Sequence, residues 1–178
     1  FCPCDAVEAR KATVAAAKLW GPVYLRFGRE KTPVFTSSDT PLVPGKSEIF
    51  WKSKKPQAAI IGCGPLLYNC LLAAKELERE KIGTIVVNNH TLKPIDEKKL
   101  IEAAKQSGAI VTVEEHQVMG GMGSAVAEAL VKNFPVPMEF VGMQNTFGES
   151  GAPKDLIEKY GMGVKDIIKA VKKAIKRK

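Results

Sequence analysis

Three groups of residues have types and spacings that can do chemistry. The first is Glu114-Glu115-His116, followed closely by Gly120, Gly121 and Gly123. A histidine beside carboxylates at the carboxyl end of a strand is suited to acid–base work. A helix starting after the glycine-rich turn would offer its free N–H groups to an anion. Plainer readings compete and are favoured: a loop or interface histidine that only makes hydrogen bonds, and glycines that only turn the chain. His90 has the same chemistry with less around it. The second group is Arg26 and Arg29, which flank Phe27 and Gly28. Two guanidinium groups beside a glycine can hold a phosphate, but in a continuous strand they would point to opposite faces. They share a face only if Gly28 breaks the strand, and surface salt bridges are the ordinary alternative.

The third group is Gly62-x-Gly64, between an apolar run and a helical pattern. A dinucleotide fingerprint would need a third glycine where Leu67 stands. It would also need an acidic residue after the next strand, where Asn88 and Asn89 stand. A structural turn is therefore favoured. Cys2, Cys4, Cys63 and Cys70 lack the spacing of a metal set and read as reduced, mostly buried thiols. No Ser–His–Asp pattern and no Gly-x-x-x-x-Gly-Lys-Ser/Thr phosphate loop is present.

These residues need a scaffold, and the composition supplies one. The chain has 178 residues, 45% hydrophobic and 26% charged. That suits one ordinary globular domain with a fragment of another. No apolar run is long enough to span a bilayer, and nothing resembles a signal peptide. A soluble cytoplasmic protein is the expectation. The net charge of +8 is concentrated in Lys165–Lys178. Cations on one solvated helix face explain it, and aromatic residues for base stacking are not interleaved there. Neither nucleic acid nor membrane is an expected partner.

In chain order, Asp5 and Glu8 suggest a capping box opening a helix over 6–19. Val23–Phe27 reads as a strand. One helix and one strand cannot bury a core alone, so residues 1–36 read as the tail of an upstream α/β domain. Residues 37–46 read as a linker. In 47–178, strands are expected at 48–51, 58–61, 84–87, 110–113 and 138–143. Helices are expected at 66–81, 97–106, from 124 to about 134, 153–160 and 164–175. From residue 58 the alternation of strand and helix argues for a parallel sheet with helices on both faces.

Four strings, in order, resemble transketolase: Pro22–Arg29 (PVYLRFGR), Leu92–Asp96 (LKPID), Val113–His116 (VEEH) with Gly120–Ser124 (GGMGS), and Lys159–Gly163 (KYGMG). The resemblance covers essentially the whole chain. It implies the end of a pyrimidine-binding domain followed by a transketolase-like C-terminal domain. That domain would be a three-layer α/β/α unit whose mostly parallel five-stranded sheet carries one antiparallel strand, at Glu48–Trp51.

The resemblance further implies thiamine-diphosphate- and Mg²⁺-dependent transfer of a two-carbon ketol unit from a ketose phosphate to an aldose phosphate, as in the pentose phosphate pathway. It implies a dimer-like core in which this domain mainly packs subunits. Arg29 takes the place of the family's phosphate-binding arginine, although Gly28 stands where a serine is usual and Glu30 follows it. No catalytic, cofactor or metal residue is assigned to this chain, which is expected to be inactive alone. Its partner would be an upstream cofactor-binding part, in the same polypeptide or a separate subunit. The 1-deoxyxylulose-5-phosphate synthases and 2-oxo acid dehydrogenase decarboxylase subunits share this domain and stay open as alternatives. So does a free-standing α/β module that docks through its basic C-terminal helix.

Overall fold

The computed structural model describes residues 1–178. The fully apolar runs form the middle of a five-stranded sheet. Its strands are β1 (Glu48–Lys52), β2 (Pro56–Gly62), β3 (Gly83–Asn88), β4 (Ile110–Gln117) and β5 (Met138–Met143). Their spatial order is β1-β3-β2-β4-β5, with β1 antiparallel to β3 and the remaining pairs parallel. The expected mixed sheet is therefore present. β1 and β2 are neighbours in sequence but do not pair, because β3 lies between them.

The helices are α1 (Ala6–Ala16), α2 (Leu67–Arg79), α3 (Glu97–Ser107), α4 (Met122–Asn133), α5 (Pro153–Lys159) and α6 (Val164–Ile175). Successive strand residues point to opposite faces, and the core divides accordingly. Ile60, Val86 and Val111 pack with Leu67 and Leu77 of α2 and Ile167 and Val171 of α6. Ile61, Ile85, Val87 and Ile110 pack with Leu100 of α3 and Val126 and Leu130 of α4. Both faces of the sheet are thus dry, which is why its central strands carry no polar alternation.

Three of the basic residues of the C-terminal segment meet acidic partners within the chain. Lys172 lies 2.6 Å from Glu80, and Glu139 takes Lys173 at 2.9 Å and Arg177 at 2.6 Å. No helix is long and apolar enough to cross a membrane.

Three local expectations are corrected. Val23–Phe27 is extended but forms no strand. It has only two backbone bonds to a neighbour, Phe1 N–H to Tyr24 O at 2.7 Å and Arg26 N–H to Phe1 O at 2.9 Å. A strand exists only where a ladder accepts it. β4 runs on through Glu114, Glu115 and His116 to Gln117, because β5 is long enough to pair that far. The first helix ends at Ala16 rather than Leu19, and only half of its capping box forms. Asp5 Oδ1 accepts from Glu8 N–H at 2.9 Å, while the Glu8 carboxylate turns away to Cys4 N–H and to the Asn88 side chain, both at 2.6 Å.

Residues 32–46 drape over the domain without helix or strand. Asp5 pins Phe35 and Thr36, and the Phe35 ring sits 5.5 Å from that of Tyr68 on α2.

Candidate functional site: the crevice at the sheet's switch point

β2 feeds α2 on one face of the sheet, and its neighbour β4 feeds α4 on the other. The connections diverge there and leave a crevice beyond the carboxyl ends of the two strands, the usual ligand position in an open α/β sheet. A cavity of about 980 Å³ opens at this point. Cys63, Glu114, His116 and Gly121 line its floor, and Cys2, Tyr24 and Arg26 come from the N-terminal segment.

Glu114 is buried, and its carboxylate faces the start of α4. Oε2 accepts Met122 N–H at 2.7 Å and Oε1 accepts Gly123 N–H at 2.8 Å. The anion that the glycine-rich turn was able to hold is therefore the chain's own carboxylate. Burial raises the Glu114 carboxyl above its usual range, and the two backbone donors oppose the rise. Both oxygens are thereby tied to the start of α4, and Glu114 serves as its cap.

His116 Nδ1 lies 4.0 Å from Glu114 Oε2 but donates to the Gln117 carbonyl at 3.0 Å. It is exposed. The hydrogen-bonding role describes it better than the acid–base role. His90 is wholly buried and stays neutral, burial lowering its pKa to about 4. Its Nδ1 meets Thr91 Oγ1 at 2.9 Å, and its Nε2 has no partner. It is a core histidine.

The glycines of Gly62-x-Gly64 serve packing, as the structural reading expected. A Cβ on Gly62 would stand 3.0 Å from both Cys70 Sγ and Leu67 Cδ1. Gly64 has φ +64° and would bring a Cβ to 2.8 Å from Cys2 Sγ.

Arg26 and Arg29 are not brought together. Arg26 is half-buried and lines the crevice. Arg29 follows the extended segment at a bend, is exposed, and lines neither this cavity nor the smaller one beside Gly28 and Pro65. Neither arginine forms a salt bridge.

Sequence reasoning missed Glu8, which joins α1 to Asn88 at the end of β3. Its carboxyl is raised by burial. A glutamate in the first turn of a helix looks like any capping residue, and nothing in the pattern marks it as buried.

These features define a class: an open α/β/α domain whose switch-point crevice is capped internally and roofed by a preceding segment. The family model described as "Transketolase, C-terminal domain" matches residues 45–167, and the chain belongs to that family. It is 37% identical over 176 residues to the 6-deoxy-6-sulfo-D-fructose transketolase subunit SqwH of Clostridium sp. (strain MSTE9), covering 99% of this chain and 54% of that protein. It is 34% identical over 173 residues to the transketolase of Rattus norvegicus, covering 97% of this chain and 28% of the rat protein. A solved structure described as a split-gene transketolase, inactive beta4 tetramer, superposes with a TM-score of 0.95 at 44% identity, covering all of this chain and 58% of that one. The chain thus spans about half the length of its subunit relatives. The fold is shared as well with the transketolase of Campylobacter jejuni, with a TM-score of 0.73 at 24% identity over 97% of this chain and 26% of that one.

Proposed function

We propose that this chain supplies the C-terminal part of a transketolase that transfers a two-carbon ketol unit from a ketose phosphate to an aldose phosphate. Thiamine diphosphate and Mg²⁺ would be held by an upstream part, either in the same polypeptide or in a partner subunit. Residues 1–36 finish the pyrimidine-binding domain, 37–46 link, and 47–178 pack the subunits of a homo-oligomer. Arg29 contacts the sugar phosphate through a charge-assisted fork of N–H donors. The assembly works in the cytoplasm, a compartment that suits four unpaired cysteines.

The observation that carries this reading is an unfinished apolar surface on residues 14–34 of a family member. Leu19, Trp20, Val23, Tyr24, Phe27 and Val34 are exposed there, although the domain behind them is fully packed. Large apolar side chains left exposed together in one segment mark an interface. Relatives described as transketolase subunits support a split arrangement.

The cofactors do not fit this chain by itself. No three histidine, cysteine or acidic side chains gather as a cation site, and the helix N-terminus at the crevice is taken by Glu114. This chain's part is to position phosphate and pack subunits.

The test is reconstitution. The chain, the cofactor-binding polypeptide and their mixture are assayed for ketol transfer. Activity is expected in the mixture alone. Turnover by this chain alone, or no turnover by a stoichiometric complex supplied with both cofactors, overturns the proposal.

A further inference from the structure

Two of the four cysteines differ from the others in their surroundings. Cys4 and Cys70 sit inside the packed core. Burial pushes both thiols well up, and the neighbouring Glu8 adds to the rise at Cys4. Cys2 and Cys63 belong to the core on the other face of the sheet and also line the switch-point cavity, at 5% and 4% exposure. They come from different parts of the chain. Cys2 belongs to the N-terminal segment, and Cys63 opens the turn that leaves β2.

The backbone holds these two residues together. Gly64 N–H donates to Cys2 O at 3.0 Å, and Cys2 N–H donates to His90 O at 2.9 Å. The Cys2 sulfur lies directly on the turn, where a Cβ at Gly64 would meet it at 2.8 Å. Both cysteines lie in one buried cluster, and Arg26, whose backbone N–H donates to Phe1 O at 2.9 Å, lines the same cavity.

We propose that Cys2 and Cys63 are a peroxide-sensitive thiol pair that closes to a disulfide, locking the N-terminal segment onto the sheet domain at the crevice. The oxidant is hydrogen peroxide, which enters through the cavity while its rim of Leu19, Trp20, Val23 and Tyr24 is not covered by a partner. The Cys2 thiolate attacks one peroxide oxygen, the O–O bond breaks, and the leaving hydroxide takes up a proton as water. Cys2 is then a sulfenic acid. Cys63 gives up its thiol proton and attacks the Cys2 sulfur. The S–S bond forms, the S–O bond breaks, and the second oxygen leaves as water. Two thiols lose two electrons together, and the peroxide gains them. A dithiol reductant reverses the change by exchange.

Arg26 orders the roles. Its backbone N–H is bonded to Phe1, next to Cys2, and it lines the same cavity. The Cys63 thiol, and after it Arg26, lower the Cys2 pKa against burial. Cys2 is the attacking sulfur and Cys63 the resolving one, since the thiolate is the nucleophile.

The experiment is graded hydrogen peroxide on the natural polypeptide that carries this chain, read by intact mass and by peptide mapping after alkylation. Loss of about 2 Da, with a Cys2–Cys63 linked peptide and with Cys4 and Cys70 still alkylatable after denaturation, is the expected result. In Cys63→Ser, a dimedone adduct on Cys2 should replace the disulfide. In Cys2→Ser, neither product should form. The wild-type mapping stands without any variant, so a misfolded substitution does not decide the matter. Cys2 and Cys63 remaining reduced under peroxide that fully oxidises free cysteine would overturn the proposal. A disulfide through Cys4 or Cys70 would do the same.

Discussion

Gly123, in the first turn of α4, donates its backbone N–H to the buried carboxylate of Glu114 at 2.8 Å. Met122 N–H takes the other oxygen at 2.7 Å. The helix is capped from the preceding strand, and Gly121 in the N-cap position has no side chain to do it. Glu114→Ala leaves two helix-terminal donors without a partner. It should lower unfolding free energy by about 1–3 kcal/mol, measured by urea denaturation. An unchanged midpoint would mean that water replaces the carboxylate at no cost.

Two glycines of the same turn should respond differently to alanine. At Gly123 a Cβ would meet Thr112 Oγ1 at 2.6 Å and Phe140 Cδ1 at 2.7 Å, so β4 and β5 would have to yield. Overpacking of this kind costs about 1–3 kcal/mol. At Gly120 nothing stands within 4 Å, and only the φ of +77° resists, at about 1–2 kcal/mol. Thermal melts of the two variants should place Gly123→Ala below Gly120→Ala, and the reverse order would contradict the packing described for α4.

The same turn marks the limit of what the sequence disclosed. Apolar runs such as Ile85-Val86-Val87 announced their strands because burial on both faces leaves no polar position. Asp96 and Gly108 bounded α3 because capping chemistry is local, and Asp96 does accept from Lys99 N–H. Val23–Phe27 has the same composition as a strand but lacks a ladder, and a ladder is not a property of the segment. Glu114 resembled a site residue because polarity at a strand's carboxyl end is ambiguous. Only the distance to Met122 and Gly123 turned it into a cap. Nothing in the spacing of Cys2 and Cys63 foretold that they line one cavity, since that depends on how the N-terminal segment crosses the β2 turn.

Asp5 gives the clearest pH dependence. Its carboxylate accepts from Glu8 N–H at 2.9 Å, from Phe35 N–H at 2.9 Å, and from Thr36 N–H and Oγ1 at 2.7 Å each. Burial alone would raise its pKa, but these donors outweigh burial and hold it below the usual aspartate value. A lowered folded-state pKa means stability that is full above the unfolded value, about 3.9, and lost as pH falls through the folded one. Asp5→Asn should therefore cost about 1.5–3 kcal/mol at neutral pH. The gap from wild type should narrow below about pH 4. Denaturant titrations at a series of pH values read both numbers. A gap that stays constant with pH would remove the charge from the explanation.

Arg29 is tested in the complete enzyme. It is exposed and has no salt bridge within the chain, which leaves its guanidinium available for an incoming phosphate. Arg29→Ala should cost about 1.5–3 kcal/mol of binding to phosphorylated substrates, roughly ten- to 150-fold in kcat/KM. Unphosphorylated substrates should change little. Equal losses for both would rule Arg29 out as the phosphate ligand.

The exposed residues of the N-terminal segment predict what a partner should bury. Trp20 stands fully in solvent at 104% exposure, and Tyr24 and Phe27 of the same segment are exposed too. The other tryptophan, Trp51, is already half-buried on β1. Indole emission moves to shorter wavelength when the ring leaves water, so docking of the cofactor-binding part should shift the Trp20 contribution to the spectrum. Trp20→Phe should abolish the shift while leaving the Trp51 signal and the thermal melt of the free chain unchanged, because Trp20 supports no core contact here. It should also weaken association, since aromatic anchors carry a large share of interface energy. A partner that binds stoichiometrically without moving Trp20 emission would show that the apolar face of residues 14–34 is not the surface it uses.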